Sequence, residues 1–198
     1  MKKKAIIGNG NHAKELYAIF DFEYDIFDFD IDVLDTSSNA NVFPISKFSP
    51  ETYDALICVG SSDVREKIVN ILPKETTYFT YIHPTALIFD KNIEIGCGSY
   101  VGPYSIITKN VNIGKHALIN RGNQIGHDCK IGDFFSMMPG SIVSGTCSIG
   151  DKVYLGTNSS IKEKTNICNN VIIGLNSGVV KNITIPGVYA GVPVRKIK

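Results

Sequence analysis

His127 and Asp128 are neighbours in the run Ile125-Gly126-His127-Asp128-Cys129-Lys130-Ile131-Gly132-Asp133. A carboxylate beside an imidazole can hold one ring nitrogen in its protonated form and leave the other as a base, which is what a general base needs. Such pairs also arise on surfaces that do no chemistry. A second group of interest is Gly8-Asn9-Gly10-Asn11-His12-Ala13. Its glycines allow a tight turn and a close backbone approach, and a helix starting there would favour a phosphate. A G-x-G-x-x-A turn also occurs as a plain strand-to-helix connection. The acidic residues Asp28, Asp30 and Asp32, about 20 residues further on, are candidates to bind a ribose or base, or form a solvated loop. The five cysteines, Cys58, Cys97, Cys129, Cys147 and Cys168, have no CxxC pair and no zinc spacing, and read as reduced thiols.

The elements that carry these groups follow from a repeat. Stepping by six from Ile95 gives Ile95, Val101, Ile107, Ile113, Ile119, Ile125, Ile131, Met137, Val143, Ile149, Leu155, Ile161, Ile167, Ile173, Val179 and Ile185, all aliphatic or Met. Glycine often follows, at 96, 102, 114, 126, 132, 150, 156 and 174. Four residues after each aliphatic comes a mostly small or β-branched side chain, such as Ser99, Ser105, Ala117, Cys129, Ser141 or Thr165. A period of six fits neither an α-helix nor an alternating strand. It predicts short strands joined at corners into a triangular prism, with three hexads, hence 18 residues, to each coil. About five coils at ~4.8 Å each make roughly 24 Å of prism. Upstream, Ile88 to Ile95 is seven residues, so the first coil starts near Ile82 with a small bulge; downstream, Pro186 and Gly187 end the prism before a terminal strand at 188–193.

The coil length gives the first long-range pairing. Gly145 is 18 residues after His127, so the two should be stacked neighbours at a corner, and a glycine there lets a backbone N–H approach a developing oxyanion. Cys129 and Cys147 are also 18 apart, at small inward positions, and read as a packed ladder and not as an acyl carrier. His83, beside Pro84 at the prism entry, reads as structural; His116 is expected on a corner, exposed; His12 opens a helix, to touch a phosphate or to pack.

Upstream of the prism the pattern is β-α-β-β-α-β, with strands expected at 4–8, 25–30, 55–59 and 77–81. A helix is expected from His12 to Phe20 and a second, capped by Ser62 or Asp63, running to about Leu72. The domain division expected is 1–80 for this α/β unit and 81–198 for the prism. The 198 residues carry 20 Lys+Arg and 19 Asp+Glu, a formal charge of +1, which argues against a nucleic-acid partner. At 43% hydrophobic the chain is globular, and no run of 18 apolar residues predicts a membrane span. Lys2-Lys3-Lys4 is followed only by Ala5-Ile6-Ile7 before Gly8, too short for a signal, so a cytoplasmic protein is expected.

With both halves placed, the chain resembles the bacterial hexapeptide-repeat acyltransferases that acetylate nucleotide-linked amino sugars, the bacillosamine- and perosamine-type N-acetyltransferases and sialic-acid O-acetyltransferases. The resemblance spans essentially the whole chain and is most specific at Gly8 to His12, Val59-Gly60 with Arg65, Asn120 to Gly140, Leu155 to Ser159 and Tyr189 to Arg195. It implies an N-terminal Rossmann-like nucleotide-sugar domain followed by an all-β left-handed parallel β-helix. The handedness comes from the resemblance alone, since ordinary parallel crossovers are right-handed. It implies His127 as general base oriented by Asp128, the Gly145 amide on the thioester carbonyl, and Asn120 near the sugar. It further implies that Gly10, Asn11, His12, Asp30 and Gly60 hold the nucleotide, and that acetyl-CoA, the co-substrate, runs past Thr157 and Leu175 between subunits of a homotrimer. Some relatives carry a second histidine nine residues after the first; here that place is Ser136, whose hydroxyl can still donate to acetyl-CoA. The implied reaction is direct acetyl transfer, without metal, to the amine of a UDP- or dTDP-linked 4-amino-4,6-dideoxy sugar. The alternatives are O-acetyl transfer to a sugar hydroxyl, a non-catalytic scaffold trimer, and a γ-type carbonic anhydrase. The last needs two histidines five residues apart, whereas successive histidines here are 71, 33 and 11 apart.

Overall fold

The computed structural model describes residues 2–22, 31–35 and 42–198. The chain divides into two units, Met1–Phe79 and Thr80–Lys198.

The N-terminal unit is built on a parallel sheet. Its strands are β1 (Lys3–Ile7), β2 (Ile31–Asp35), β3 (Phe43–Pro44), β4 (Tyr53–Ile57) and β5 (Thr77–Tyr78), in the order β3-β2-β1-β4-β5. β1 and β4 are short apolar runs buried at their carboxyl ends, as strands between two layers must be: Ala5, Ile6 and Ile7 beside Ala55, Leu56 and Ile57, all 3% exposed or less. Helix α1 (Asn11–Phe22) follows β1 and turns Ala13 and Leu16 inward. Helix α2 (Ser62–Ile71) follows β4 and is capped by Ser61, whose hydroxyl accepts from the Val64 N–H. The cap is thus one residue before those expected, because Ser61 holds the extended conformation that a capping residue requires. The strand expected at 25–30, with Asp28 and Asp30, lies outside the described residues. Asp32 falls within β2, opposite Ala5.

The C-terminal unit is a parallel β-solenoid of about six turns with three faces. The first face stacks Leu87–Ile88, Ile106–Ile107, Gln124–Ile125, Ile142–Val143, Ser160–Ile161 and Gly178–Val179. The second face runs from Glu94–Ile95 to Asn166–Ile167. The third begins at Tyr81–Ile82 and ends with Gly187–Ala190, closed by the antiparallel pair Arg195–Lys196. The pairing register is 18 along the prism, as at Ile107↔Ile125 and Ile125↔Val143. It is 19 in the first coil, Ile88↔Ile107, where the extra residue between Ile88 and Ile95 is absorbed. From Val101 to Val179 each hexad aliphatic is 3% exposed or less, and this column is the core. Burying each such side chain contributes about 1.5–3 kcal/mol.

Each corner is made by backbone geometry that side-chain periodicity does not announce. The third residue after the aliphatic has positive φ coil after coil: Tyr104, Asn110, His116, Asp128, Phe134, Thr146, Lys152, Asn158, Lys164, Asn170 and Asn176, with Gly98, Gly122 and Gly140 in the same column positions. Two residues earlier in the hexad, a recurring glycine sits where a side chain would meet the coil above. A methyl group on Gly126 would lie 2.6 Å from the Gly145 nitrogen and 2.9 Å from the Ser144 carbonyl carbon.

Two expectations are corrected. The hexad does not continue to Ile185, which is 58% exposed; Ile183 is buried instead and bridges Ile167 at a spacing of 16. The last coil is two residues shorter because Val171 pairs with Gly187, also 16 apart. His116 is not exposed: it is 5% exposed and its ring is covered by stacking on Phe134, 18 residues later, at 5.1 Å.

Candidate active site

The corner between the first and second faces carries His127. The Gly126 N–H donates to the Val143 carbonyl, the Asp128 N–H to the Lys109 carbonyl, and the Thr146 N–H to the His127 carbonyl, so the backbone on both sides of the imidazole is pinned to the coils below and above. The side chain itself projects outward, 63% exposed. Nδ1 lies 2.7 Å from Oδ2 of Asp128, which places the proton on Nδ1 and leaves Nε2 as the basic nitrogen. Oδ1 of Asp128 accepts a second hydrogen bond, from Nδ2 of Asn110, at 2.6 Å. Hydrogen bonds from Asn110 and then His127 hold the Asp128 carboxyl below the usual carboxylate range, so it is ionised at neutral pH.

Gly145 lies directly above. A methyl group there would sit 2.7 Å from Nε2 of His127 and 2.9 Å from Cε1, so only glycine leaves the ring its place. The Gly145 carbonyl accepts from the Lys164 N–H. Among the described residues no oxygen accepts from the Gly145 N–H. The structure therefore brings together His127, Asp128 and Gly145, and adds Asn110. The signal for Asn110 was available: it is 18 residues before Asp128, and the step that pairs His127 with Gly145 finds it when taken downward.

The other residues singled out on the prism stand elsewhere on it. Asn120 is at the far end of the first face from His127, on the corner with the third face. It is 9% exposed, its Oδ1 accepts from the Arg121 N–H at 2.8 Å, and its carbonyl accepts from Ser105 and from the buried Asn123. Thr157 and Leu175, both exposed, are 18 apart on that same corner, linked by the Asn176 N–H to the Thr157 carbonyl. Within one chain the first face separates them from His127. Ser136 departs from expectation: it stands on the third face in register with Leu118 and is 0% exposed, so its hydroxyl meets no open surface for acetyl-CoA. Cys129 and Cys147 are buried, each thiol pointing at a carbonyl, Ser144 at 3.2 Å and Lys162 at 3.3 Å. The neighbouring Cys147 thiol and burial hold Cys129 well above the ordinary thiol range, which disarms it as a nucleophile. His83 is buried and its Nδ1 accepts from the Thr85 N–H. Among the described residues no three His, Cys, Asp or Glu side chains gather as a metal site would require.

The N-terminal unit holds a cavity of about 430 Å³ at the carboxyl ends of β1 and β4, lined by Gly8 to His12, Val59, Gly60 and the apolar side of α2. Gly8 has φ +122, and a methyl group there would press on the Cys58 carbonyl oxygen at 3.1 Å. Gly10 and Gly60 face open space, with nothing within 4 Å of an added methyl group. Asn11 is exposed at the start of α1. Arg65, 1% exposed, donates from Nη1 to the carbonyls of Val59 and Gly60 at 2.8 and 3.1 Å and so holds the second loop. Burial lowers its pKa to about 10, which leaves it cationic at neutral pH. His12 is pulled the same way: burial, opposed by Glu15 and aided by Arg65, lowers it to about 4, so the imidazole is neutral. The cavity thus has a rim of glycines and the start of α1 on one side and the apolar Val64, Ile68 and Ile71 of α2 on the other.

A solenoid of hexad coils preceded by a parallel α/β unit is the architecture of the bacterial hexapeptide-repeat sugar acetyltransferases, and solved structures share it along the whole chain. The acetyltransferase domain of PglB from Neisseria gonorrhoeae is 25% identical, with a TM-score of 0.88 and 100% of both chains covered. The same domain in complex with acetyl coenzyme A is 25% identical, with a TM-score of 0.86 over 99% of each chain. PerB from Caulobacter crescentus, in complex with CoA and GDP-perosamine, shares the fold at 21% identity, with a TM-score of 0.87 over 100% of this chain and 98% of that one. No family model matches the chain, and a search of the curated proteins returns no match. No helix among the described residues is long and apolar enough to cross a membrane.

Proposed function

We propose that the chain is an acetyl-CoA-dependent N-acetyltransferase acting on the amine of a nucleotide-linked 4-amino-4,6-dideoxy sugar. The observation that carries this reading is the exposed imidazole whose Nδ1 is held by Asp128 and whose Nε2 stands against Gly145, a residue with an uncommitted N–H among the described residues. Nε2 takes the proton as the sugar nitrogen bonds to the thioester carbonyl carbon. The carbonyl oxygen becomes an oxyanion and meets the Gly145 N–H. Collapse breaks the carbon–sulfur bond, and the departing thiolate takes the proton back from the imidazolium. No covalent enzyme intermediate is needed, because both substrates are held together and the attack is direct.

The 1–80 region is read as a Rossmann-like nucleotide-binding domain. Its sheet order reverses direction between β1 and β4, and ligands of doubly wound sheets lie outside the carboxyl ends of the strands at such a reversal. Gly10, Asn11, His12 and Gly60 line the cavity found there, and the base is assigned to Asp30. The 81–198 region is read as a left-handed β-helix acting in a homotrimer. Acetyl-CoA passes Thr157 and Leu175 between neighbouring subunits, and Asn120 lies near the sugar. The neighbours solved with acetyl coenzyme A, and with CoA and GDP-perosamine, support both substrate classes.

The test is thiol release from acetyl-CoA with a panel of UDP-, dTDP- and GDP-linked 4-amino sugars and their hydroxyl counterparts. Release with one amino sugar is expected, and His127→Ala should lower turnover by ~10²–10⁴. Turnover near wild type in that variant defeats the base assignment. Release with hydroxyl acceptors only makes the protein an O-acetyltransferase, and silence across the panel leaves a scaffold.

A further inference from the structure

The left-handed corner column explains by itself why an asparagine occurs at 110, since asparagine tolerates positive φ and recurs at 158, 170 and 176. It does not explain what its side chain does. On the corner between the second and third faces the polar ladder is a backbone staple: the Lys115 N–H donates to Asp133, the Asp133 N–H to Asp151, and the Asp151 N–H to Asn169, each at 2.7–2.9 Å. Asp128 is bound differently. Neither of its oxygens accepts from a backbone amide of the coil below; both are taken by side chains, Oδ1 by Nδ2 of Asn110 at 2.6 Å and Oδ2 by Nδ1 of His127 at 2.7 Å. Asn110 itself is anchored from below, its N–H directed at Oδ2 of Asp90 at 3.4 Å.

We infer that Asn110 is a positioning residue for the base: its amide, one coil below, turns the Asp128 carboxylate so that Oδ2 faces His127 and the imidazole keeps its proton on Nδ1. Without it an exposed carboxylate, 49% accessible and free to rotate about two bonds, has no partner but a ring that is itself exposed. The other charge bearing on the carboxylate is Lys109, which attracts it without selecting one oxygen. Asn110 touches neither substrate nor reacting atom; it acts through Asp128. This inference rests on the proposed base role of His127.

The test uses the full chain. Asn110→Gly removes the amide and keeps the left-handed backbone free of strain. Turnover with acetyl-CoA and the accepted amino sugar should fall about five- to twentyfold with KM within about twofold, the value of a hydrogen bond to a charged acceptor on an exposed corner. In an Asp128→Gly background the same change should cost nothing further, because the two act as one unit. Independently of activity, long-range proton–nitrogen spectra of His127 should show the proton on Nδ1 in the native chain and redistributed toward Nε2 in both single variants. Wild-type turnover in Asn110→Gly, an unchanged tautomer, or independent losses in the double variant would overturn the inference. If the native chain acetylates nothing in the panel, the proposed function fails while the tautomer comparison still decides the role of Asn110.

Discussion

The three atoms nearest a methyl group on Gly145 all belong to the imidazole of His127, the far end of an exposed side chain, and the backbone at 145 has no positive φ that would forbid alanine. The ring is therefore what must give way. Gly145→Ala is expected to leave the melting midpoint within about 2 °C and to lower turnover at least about tenfold, because Nε2 swings from the N–H it works beside. Melting curves and steady-state rates on the same preparation check this. A large loss of stability would show that Gly145 is a packing glycine and nothing more. The pair His127-Asp128 was legible because it is adjacent in sequence, and Gly145 because one coil is a whole number of hexads. The mode of Asp128's attachment was not: the coil step places Asn110 beneath Asp128, but which carboxylate oxygen its amide takes, and so which one faces the ring, is set only by the folded side chains.

Gly126 meets a different obstacle. An added methyl group would press on the Gly145 nitrogen and the Ser144 carbonyl carbon, which are backbone atoms of the next coil and cannot rotate away. Gly126→Ala should therefore destabilise the solenoid by about 1–3 kcal/mol, the usual cost of overpacking, read as a lower denaturant midpoint at unchanged slope. A midpoint equal to wild type would mean that the coils part at no cost. The contrast with Gly145 lies one residue apart in the hexad and separates a glycine needed for spacing from one needed for the imidazole. The strands themselves were readable from period six, since each aliphatic is buried by the same geometry in every coil. The end of the prism was not. Ile185 keeps the period and is exposed, while Ile183 breaks it and is buried, because the closing strand pairs two residues early and tertiary packing overrides the rhythm.

Acid bears on the N-terminal unit through His12. Among the described residues both α-helices lie in the N-terminal unit, so helical circular dichroism follows that unit alone. His12 has an ordinary value of 6.5 and is lowered to about 4 in the folded unit, chiefly by burial. Between those values the unfolded chain carries the proton and the folded one does not, so acidification favours unfolding. Stability is fully present above about pH 6.5 and declines toward pH 4, by up to about 3 kcal/mol from this one group. Urea titrations of the helical signal at pH 7 and pH 4.5 should show the decline, and His12→Gln should flatten it. An equal decline in that variant would assign the effect elsewhere.

The amino-acid sequence alone determined the solenoid, its coil length, the α/β unit ahead of it and the corner on which His127 stands, because each is written in side-chain types that recur at a fixed local step. Tertiary structure alone decided the rest. It buried His116 against Phe134 and left Ser136 with no exposed surface. It turned Arg65 onto the carbonyls of Val59 and Gly60, and set the Asn110 amide on one oxygen of Asp128. Two of these contacts, His116 with Phe134 and Asn110 with Asp128, keep the 18-residue coil step, but the step only stacks positions and does not say what their side chains then do. Whether such a side chain packs, caps a loop or orients a carboxylate depends on what the neighbouring coil or strand brings within about 3 Å of it.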